Sequence, residues 1–235
     1  MKVRNWLLLT CGVLVATLIF FEYSDLDLRL QQLLYDAATR RWLVDADAPL
    51  PRLIFYDGIK WLLIAGGAAI ILAWLASFRA HGLRPWRRLL FFLILSLGLV
   101  PLSAATGKKY TNVFCPSDLA LFSGDKPYVK LFEPMPASVE ECGRCFPAGH
   151  ASGGFSLMAL YFLSSSRRRR AIGLCTGLGL GWVMGAYQMA KGAHFLSHTV
   201  VTMELAWLLI LLFYGLCFQG WRTPLGQAVC HREEG

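Results

Sequence analysis

Long uninterrupted apolar runs limit the folds open to this chain more than any other feature. A helix needs about 20 mostly apolar residues to cross a bilayer. Only 16% of the 235 residues are charged, against roughly 25% in soluble domains. The six runs near that length are 5–21, 60–78, 88–105, 150–166, 171–187 and 199–219. They predict an all-α, polytopic membrane protein, with 1–235 forming a single domain that bundles six transmembrane helices.

The first run could also be a secretory signal peptide, because Lys2 and Arg4 precede it. No small-residue cleavage site follows it, since the run ends in Phe20, Phe21 and Glu22. We therefore expect the run to be retained as a membrane anchor.

The positions of the arginines predict how the chain is oriented in the membrane. The short connections 79–88 and 167–170 each carry four arginines and no acidic residue, and the positive-inside rule places such connections in the cytoplasm. Both termini then face the cytoplasm, while the connections 22–59, 106–149 and 188–198 face outward. In a bacterial inner membrane, which we expect here, the outer side is the periplasm. Topology accounts for the net charge of +8, so no nucleic acid partner is expected.

The first outer connection mixes leucines with aspartates over 25–36. This pattern favours an amphipathic helix lying in the membrane interface. A plain polar connector is the alternative.

Three polar clusters fall on the predicted outer side, at the ends of apolar runs. Lys108 and Lys109 end the third run, and His150 begins the fourth after a Pro-Ala-Gly turn. Ionisable groups at membrane depth are costly, and they indicate function by default. A histidine in the first turn of a helix lies among free N–H groups that bind anions, where it can also donate a proton.

His194 and His198 form the third cluster, four residues apart and therefore on one face of a helical turn. One interpretation makes His194 a nucleophile or base that His198 orients. A second makes both of them metal ligands. The plainest interpretation is two interfacial histidines with no chemical role.

In order, spacing and sidedness these clusters resemble the type 2 phosphatidic acid phosphatase superfamily of membrane lipid phosphatases. That family carries K-x6-R-P, then P-S-G-H, then S-R-x5-H-x3-D, and the resemblance covers roughly residues 90–215. The matching residues here are Lys108, Cys115 and Pro116; Pro147, Ala148, Gly149 and His150; and Tyr187, Gln188, His194 and His198. The matching motifs lie within 106–198, and the resemblance places the active site at the outer membrane face.

Four positions depart from the family pattern: Cys115 and Gln188 replace arginines, Ala148 replaces serine and His198 replaces aspartate. Neither cysteine nor glutamine supplies the charge of a bidentate guanidinium. Lys191, Arg144 and Lys109 are the nearby cations that could restore it.

The resemblance implies a catalytic role for each histidine. His194 would attack phosphorus to form a phosphohistidine, His150 would protonate the departing oxygen, and His198 would orient His194. No metal or other cofactor is required. Because a protonated His198 would repel a cationic His194, we expect activity to fall as the pH drops through about 6.5.

The phosphate-binding group is implied by the same resemblance. Lys108 and the backbone N–H groups around Gly149 would hold phosphate oxygens, with Lys191, Arg144 and Gln188 as further candidates.

Three cysteines lie on the predicted outer side: Cys115, Cys142 and Cys145. In an oxidising compartment a disulfide from Cys115 to either of the other two would tie the first motif to the second. Free thiols are one alternative. The other is a zinc site that combines Cys142 and Cys145 with the histidines.

The function implied is a membrane lipid phosphatase, or a phosphotransferase between lipids, whose partners are the bilayer and a phosphorylated lipid. An isoprenyl diphosphate, a glycerophospholipid phosphate and a lipid A phosphate are all candidate substrates. Two other functions stay open: a non-catalytic lipid-binding or transport protein on the same fold, and a zinc-dependent membrane hydrolase.

Overall fold

The computed structural model describes residues 2–218. The last residue of the sixth apolar run and the predicted cytoplasmic C-terminus lie outside the described residues. Within them, the chain is built almost entirely from helices, with one short hairpin.

The α-helices are α1 (Val3–Tyr23), α2 (Leu26–Leu34), α3 (Pro49–Arg52), α4 (Ile59–Ala76), α5 (Arg87–Gly107), α6 (Gly149–Ser156), α7 (Arg167–Ala190) and α8 (Leu196–Phe218). A π-helical stretch, Leu53–Gly58, joins α3 to α4, and 3₁₀ turns cover His81–Trp86, Pro116–Asp118, Ala120–Phe122 and Leu157–Leu163. The hairpin pairs β1 (Tyr35–Asp36) antiparallel with β2 (Arg41–Trp42).

Four helical segments of the described chain are long and apolar enough to cross a membrane: Val3–Tyr23, Pro49–Ala76, His81–Gly107 and Leu196–Phe218. The prediction of a helical membrane protein is confirmed, but the count of six spans is not. The runs 150–166 and 171–187 are helical, yet they do not meet the same criterion. Run 150–166 divides into the eight-residue α6 and a 3₁₀ turn, while α7 begins with four arginines and is interrupted by glycines.

α6 and α7 pack closely at the centre of the bundle because glycines face each other there. A Cβ on Gly154 would lie 2.5 Å from the Gly181 nitrogen, and one on Gly177 would lie 2.3 Å from the Met158 nitrogen. Small residues allow such backbone contact between helices. Buried aromatic and aliphatic side chains from α5, α6, α8 and the 3₁₀ turn complete the core, among them Phe92, Phe155, Phe162, Ile210 and Tyr214.

The helix predicted over 25–36 exists as α2, but part of its polar face is buried against the rest of the protein. Asp27 is 7% exposed and Gln31 is fully buried, while Leu33 is 81% exposed. α2 therefore turns Asp27 and Gln31 toward α7 and α8 and leaves Leu33 on its outer surface.

Candidate active site

The three predicted histidines come together at one end of the bundle. His150 lies in the first turn of α6, His194 in the link between α7 and α8, and His198 in the first turn of α8. The ring centroids of His150 and His194 are 6.4 Å apart, and those of His194 and His198 are 5.6 Å apart. His194 and His198 are each only 2% exposed. Motifs separated by more than 40 residues in sequence thus form one cluster.

A glycine-terminated helix end places His194. The Ala193 N–H donates to the Gln188 carbonyl at 2.8 Å, and the Gly192 N–H donates to the Met189 carbonyl at 3.0 Å. This is the Schellman pattern, which requires a left-handed residue after the helix. Gly192 has φ +76°, and a Cβ there would lie 2.2 Å from the Trp42 ring. Gln188 thus contributes its buried carbonyl to this helix end.

α2 supports the link from its other side. The Asp27 carboxylate accepts a hydrogen bond from the Ser197 N–H at 2.8 Å, and Gln31 Nε2 donates to the His194 carbonyl at 2.9 Å. Asp27 therefore satisfies a free N–H at the start of α8, as a capping side chain does. Sequence analysis missed both residues; the one available signal was their i,i+4 spacing within a leucine-rich helix.

We expect Asp27→Ala to destabilise the protein by about 0.5–2 kcal/mol, the usual cost of losing a helix cap. Burial raises the pKa of the Asp27 carboxyl, although hydrogen bonds from Ser197 oppose this shift. Asp27→Asn keeps a hydrogen-bond acceptor without burying a charge, so it should lose less stability than Asp27→Ala. Thermal unfolding in detergent measures both variants, and equal losses would rule out the capping role.

One assignment of protons on the histidine pair agrees with their contacts. His194 Nδ1 and His198 Nδ1 are 3.4 Å apart, and the main chain of Cys145 hydrogen-bonds the His198 ring. A carbonyl can only accept, so one His198 nitrogen carries a proton. The tautomer with that proton on Nε2 leaves His198 Nδ1 to accept from His194 Nδ1–H. His194 Nε2 then keeps its lone pair.

His150 has a partner that the sequence did not indicate. Tyr56 Oη lies 2.7 Å from His150 Nε2, and the two rings are in contact at a 47° tilt, with their centroids 4.6 Å apart. Tyr56 belongs to the π-helical stretch before α4, in a connection that the sequence marked as an outer loop. Lys191 Nζ lies 5.2 Å from the Tyr56 ring centroid, so Tyr56 contacts both the histidine and a cation.

Two lysines supply positive charge to the cluster. Lys108 ends α5 beside Gly149, where a Cβ would lie 3.6 Å from Lys108 Nζ. Lys108 and Lys191 both interact electrostatically with His194 and with His150. Both lysines are half-buried, and this burial lowers the pKa of each.

The other predicted cations lie differently. Arg144 and Lys109 have exposed side chains, and neither is among the charges that act on His194. Lys60, which sequence analysis did not single out, does interact with His150. Of the three cations considered as replacements for the missing arginines, Lys191 lies beside the histidines, while Arg144 and Lys109 do not act on His194.

An apolar groove of ≈ 600 Å³ leads to this cluster from the side of the bundle. It runs between α4, α5 and α6, and aliphatic side chains such as Leu63, Ile71 and Leu97 line it. His150, Tyr56 and Lys60 lie in the same wall. A long apolar surface thus meets polar, titratable groups.

A disulfide joins Cys115 to Cys145, with their Cα atoms 5.2 Å apart, and Cys142 is free and exposed. Of the two pairings open to Cys115, the structure has the one with Cys145. This bond ties the loop after α5 to the residues before α6. In this state Cys145 has no thiolate to offer a metal, and Cys142 does not lie with the histidines in a metal-binding group of the described residues.

Comparison with known proteins identifies the family of this chain. The model of the PAP2 superfamily matches residues 86–222, more than half of the chain. A lipid A 4'-phosphatase of Francisella tularensis subsp. novicida (strain U112) is 23% identical over 214 residues, covering 87% of this chain and 91% of that protein. No solved structure matches. The resemblance drawn from the motifs is confirmed, and the chain belongs to the PAP2 superfamily.

Proposed function

We propose that this chain is a membrane lipid phosphatase in which His194 attacks phosphorus and His150 protonates the leaving oxygen. The observation that carries the proposal is that His194, His150, Lys108 and Lys191 converge at one end of the bundle, where His150 also lines an apolar groove. Phosphoryl transfer needs mainly placement and charge stabilisation, and these four side chains supply both.

The reaction balances over two steps. His194 Nε2 bonds to phosphorus while the bond from phosphorus to the lipid oxygen breaks, and that oxygen takes the proton of His150. Water then attacks the phosphohistidine, gives a proton back to His150, and releases phosphate with His194 restored. The Tyr56 hydroxyl already lies at hydrogen-bond distance from His150 Nε2, so that nitrogen can reach a substrate oxygen in the same place.

The missing arginines need a replacement for binding the phosphate. Lys108 and Lys191 carry the positive charge, and the free N–H groups at the start of α6, from Gly149 onward, supply aligned donors. A bound phosphate dianion also provides the opposite charge that a protonated His150 needs among these cations. Lysine lacks the bidentate fork of arginine, so we expect looser orientation of the phosphate.

The groove indicates a lipid as the substrate. Its aliphatic lining suits acyl chains, and a headgroup at its polar end would meet His150 and Lys60. Similarity to a lipid A 4'-phosphatase makes a phosphate on a lipid A-type glycolipid the first substrate to test. Isoprenyl diphosphates and glycerophospholipid phosphates come next.

The distribution of charge along the helices supports a site on the periplasmic face of an inner membrane, with cytoplasmic termini. α5 runs from Arg87 to Gly107, which Lys108 follows, and α7 runs from Arg167 to Ala190, which Lys191 follows. The arginine-rich ends therefore lie about 30 Å from the histidine ends. The positive-inside rule assigns the arginines to the cytoplasm, and the periplasm also favours the disulfide.

The site weakens the two competing functions. A binding or transport protein would have no need for an unprotonated His194 Nε2 opposite a second histidine. A zinc-dependent hydrolase would need Cys145 as a thiolate, and here it is bonded to Cys115. A phosphotransferase uses the same first step, with a lipid hydroxyl in place of water.

The test is phosphate release by the purified protein in detergent, with EDTA present, from lipid A, isoprenyl diphosphate and phosphatidic acid. We expect release from at least one lipid, unaffected by EDTA. A mock purification from cells that lack the protein serves as the control. Folded protein that releases no phosphate from any of these lipids would contradict the proposal, and release abolished by EDTA would indicate the metal enzyme.

Lys191 and Lys109 can be compared to test whether the positive charge of Lys191 contributes to phosphate binding. We expect Lys191→Gln to lower kcat/KM by about tenfold or more, since a charge-assisted contact contributes about 1.5–3 kcal/mol. Lys109→Gln, at an exposed lysine, should leave it unchanged. Steady-state kinetics on one lipid measure both variants. Equal effects of the two substitutions would exclude a specific role for Lys191.

The burial of His194 changes the expected pH dependence of the activity. The sequence predicted a loss of activity near pH 6.5 from protonation of His198. The proposed nucleophile, His194, is itself buried, and burial, followed by the nearby charges of His198 and Lys108, holds the pKa of His194 well below 6.5. A nucleophile must be unprotonated, so the acidic limb of the activity profile should lie below pH 6.5, where the pH passes through this lowered pKa. The pH profile of kcat/KM measures it, and half-loss at pH 6.5 or above would contradict the expectation.

A further inference from the structure

Cys145, His194 and His198 form a compact group of three potential metal ligands. One donor atom from each lies within 4.8 Å of the others, and all three residues are buried. His194 Nδ1 is 3.4 Å from Cys145 Sγ and 3.4 Å from His198 Nδ1. The disulfide to Cys115 occupies the Cys145 sulfur, so the group is incomplete as a metal site in this state.

These distances match the geometry of zinc. Tetrahedral zinc has Zn–N bonds of about 2.0–2.1 Å and Zn–S bonds of about 2.3 Å, which puts two ligand atoms roughly 3.3–3.6 Å apart. Two of the three edges already fall in that range. A Cys-His-His set with an open fourth position is also a known zinc arrangement. The group therefore needs a thiolate at Cys145, and the third edge, which is within 4.8 Å, has to come into the same range.

We propose that reduction of the Cys115–Cys145 disulfide turns this group into a zinc site. A dithiol, such as that of a thiol–disulfide oxidoreductase, gives two electrons and two protons to the disulfide and becomes a disulfide itself. The Cys145 thiol then loses its proton to solvent as its sulfur bonds to Zn²⁺, while His194 and His198 each give a lone pair.

Zinc at this place inhibits the phosphatase, a consequence that rests on the proposed function. Binding through His194 Nδ1 takes the nitrogen that otherwise donates to His198 and fixes the ring on the metal. The divalent charge also withdraws electron density from the nucleophile. The oxidised protein is then the active form, and the reduced protein with zinc is inactive.

Cys142 has to be removed before the test, since it is free, exposed and three residues from Cys145, and it could pair with a released thiol. Three variants follow: Cys142→Ser alone, which keeps the disulfide; Cys142→Ser with Cys115→Ser, which frees Cys145; and Cys142→Ser with Cys145→Ser, which removes the ligand. Each of the last two variants lacks the disulfide and keeps one free thiol of the pair, which is the proposed ligand Cys145 in the first and Cys115 in the second.

Binding of Co²⁺, a spectroscopic substitute for zinc, is measured first by its thiolate charge-transfer band, followed by zinc analysis after gel filtration. We expect about one metal per chain in the Cys115→Ser variant and none in the other two. Micromolar zinc should lower phosphate release only in the Cys115→Ser variant. Adding a reductant, followed by its removal, should give the Cys142→Ser protein the same metal binding.

The outcomes separate the two proposals. Folded Cys115→Ser protein without a cobalt–thiolate band, or equal metal binding in the Cys145→Ser variant, overturns the zinc site. Metal binding without inhibition overturns the regulatory part. Metal binding in a protein whose variants and parent all lack phosphatase activity supports the zinc site and counts against the phosphatase.

Discussion

Replacing His194 with alanine is expected to abolish phosphate release, with a loss of at least about four powers of ten in kcat. The alanine variant has no nitrogen to form the bond to phosphorus, and Lys108, Lys191 and the start of α6 cannot replace it. Release of phosphate from the preferred lipid measures the loss. Acid-labile, alkali-stable label on the protein, trapped by rapid quenching with a radiolabelled substrate, measures the intermediate directly.

The matched control is His81→Ala, the same substitution in the exposed turn between α4 and α5. It should keep wild-type activity and the wild-type amount of trapped label. His198→Ala should act between the two, because it removes the acceptor for His194 Nδ1–H but leaves the nucleophile. Label that still forms on the His194→Ala protein would show that another residue attacks phosphorus.

The local patterns that sequence reveals are those carried by consecutive residues. The apolar runs predicted helices, and the histidine spacing predicted which residues would converge. The sequence also shows the arginines at 167–170 and the glycines of α7. The prediction nevertheless counted this segment as one of six membrane spans. A helix that packs against protein on most sides, as α6 does, does not need the hydropathy of one that faces lipid.

The supports of the site were beyond sequence analysis for a physical reason. Asp27 caps α8 and Gln31 holds the His194 carbonyl across more than 160 residues of chain. Tyr56 reaches His150 across 94 residues. Nothing near Asp27 or Tyr56 in sequence reports such a partner, because the contact depends on how α2 and α4 pack.

The positions that depart from the family motifs show the same limit of sequence analysis. Cys115 and His198 stand where an arginine and an aspartate are expected, and the sequence could only propose replacements. In the structure His198 Nδ1 lies 3.4 Å from His194 Nδ1, so a ring nitrogen stands beside His194 where the family has a carboxylate. Cys115 serves in a disulfide, and Lys191 instead supplies charge near the histidines.

Replacing His150 with alanine is expected to slow phosphate release from a lipid by about two to four powers of ten, the usual contribution of general acid catalysis. A lipid alkoxide is a poor leaving group and needs the proton that His150 gives. An aryl phosphate with an acidic phenol leaves without one. The variant should therefore lose far less activity on the aryl phosphate than on the lipid, and a ratio of the two rates measures this.

This comparison separates protonation from positioning. If His150 only bound the phosphate, its loss would slow the lipid and the aryl phosphate by the same factor, because both present the same phosphoryl group. Tyr56→Phe is the matched variant, since it removes the hydroxyl beside His150 Nε2 and keeps the acid. Tyr56→Phe should change the rates of phosphate release from the lipid and from the aryl phosphate by the same factor. An equal loss of both activities in the His150→Ala protein would therefore exclude His150 as the general acid and leave it a phosphate-binding residue.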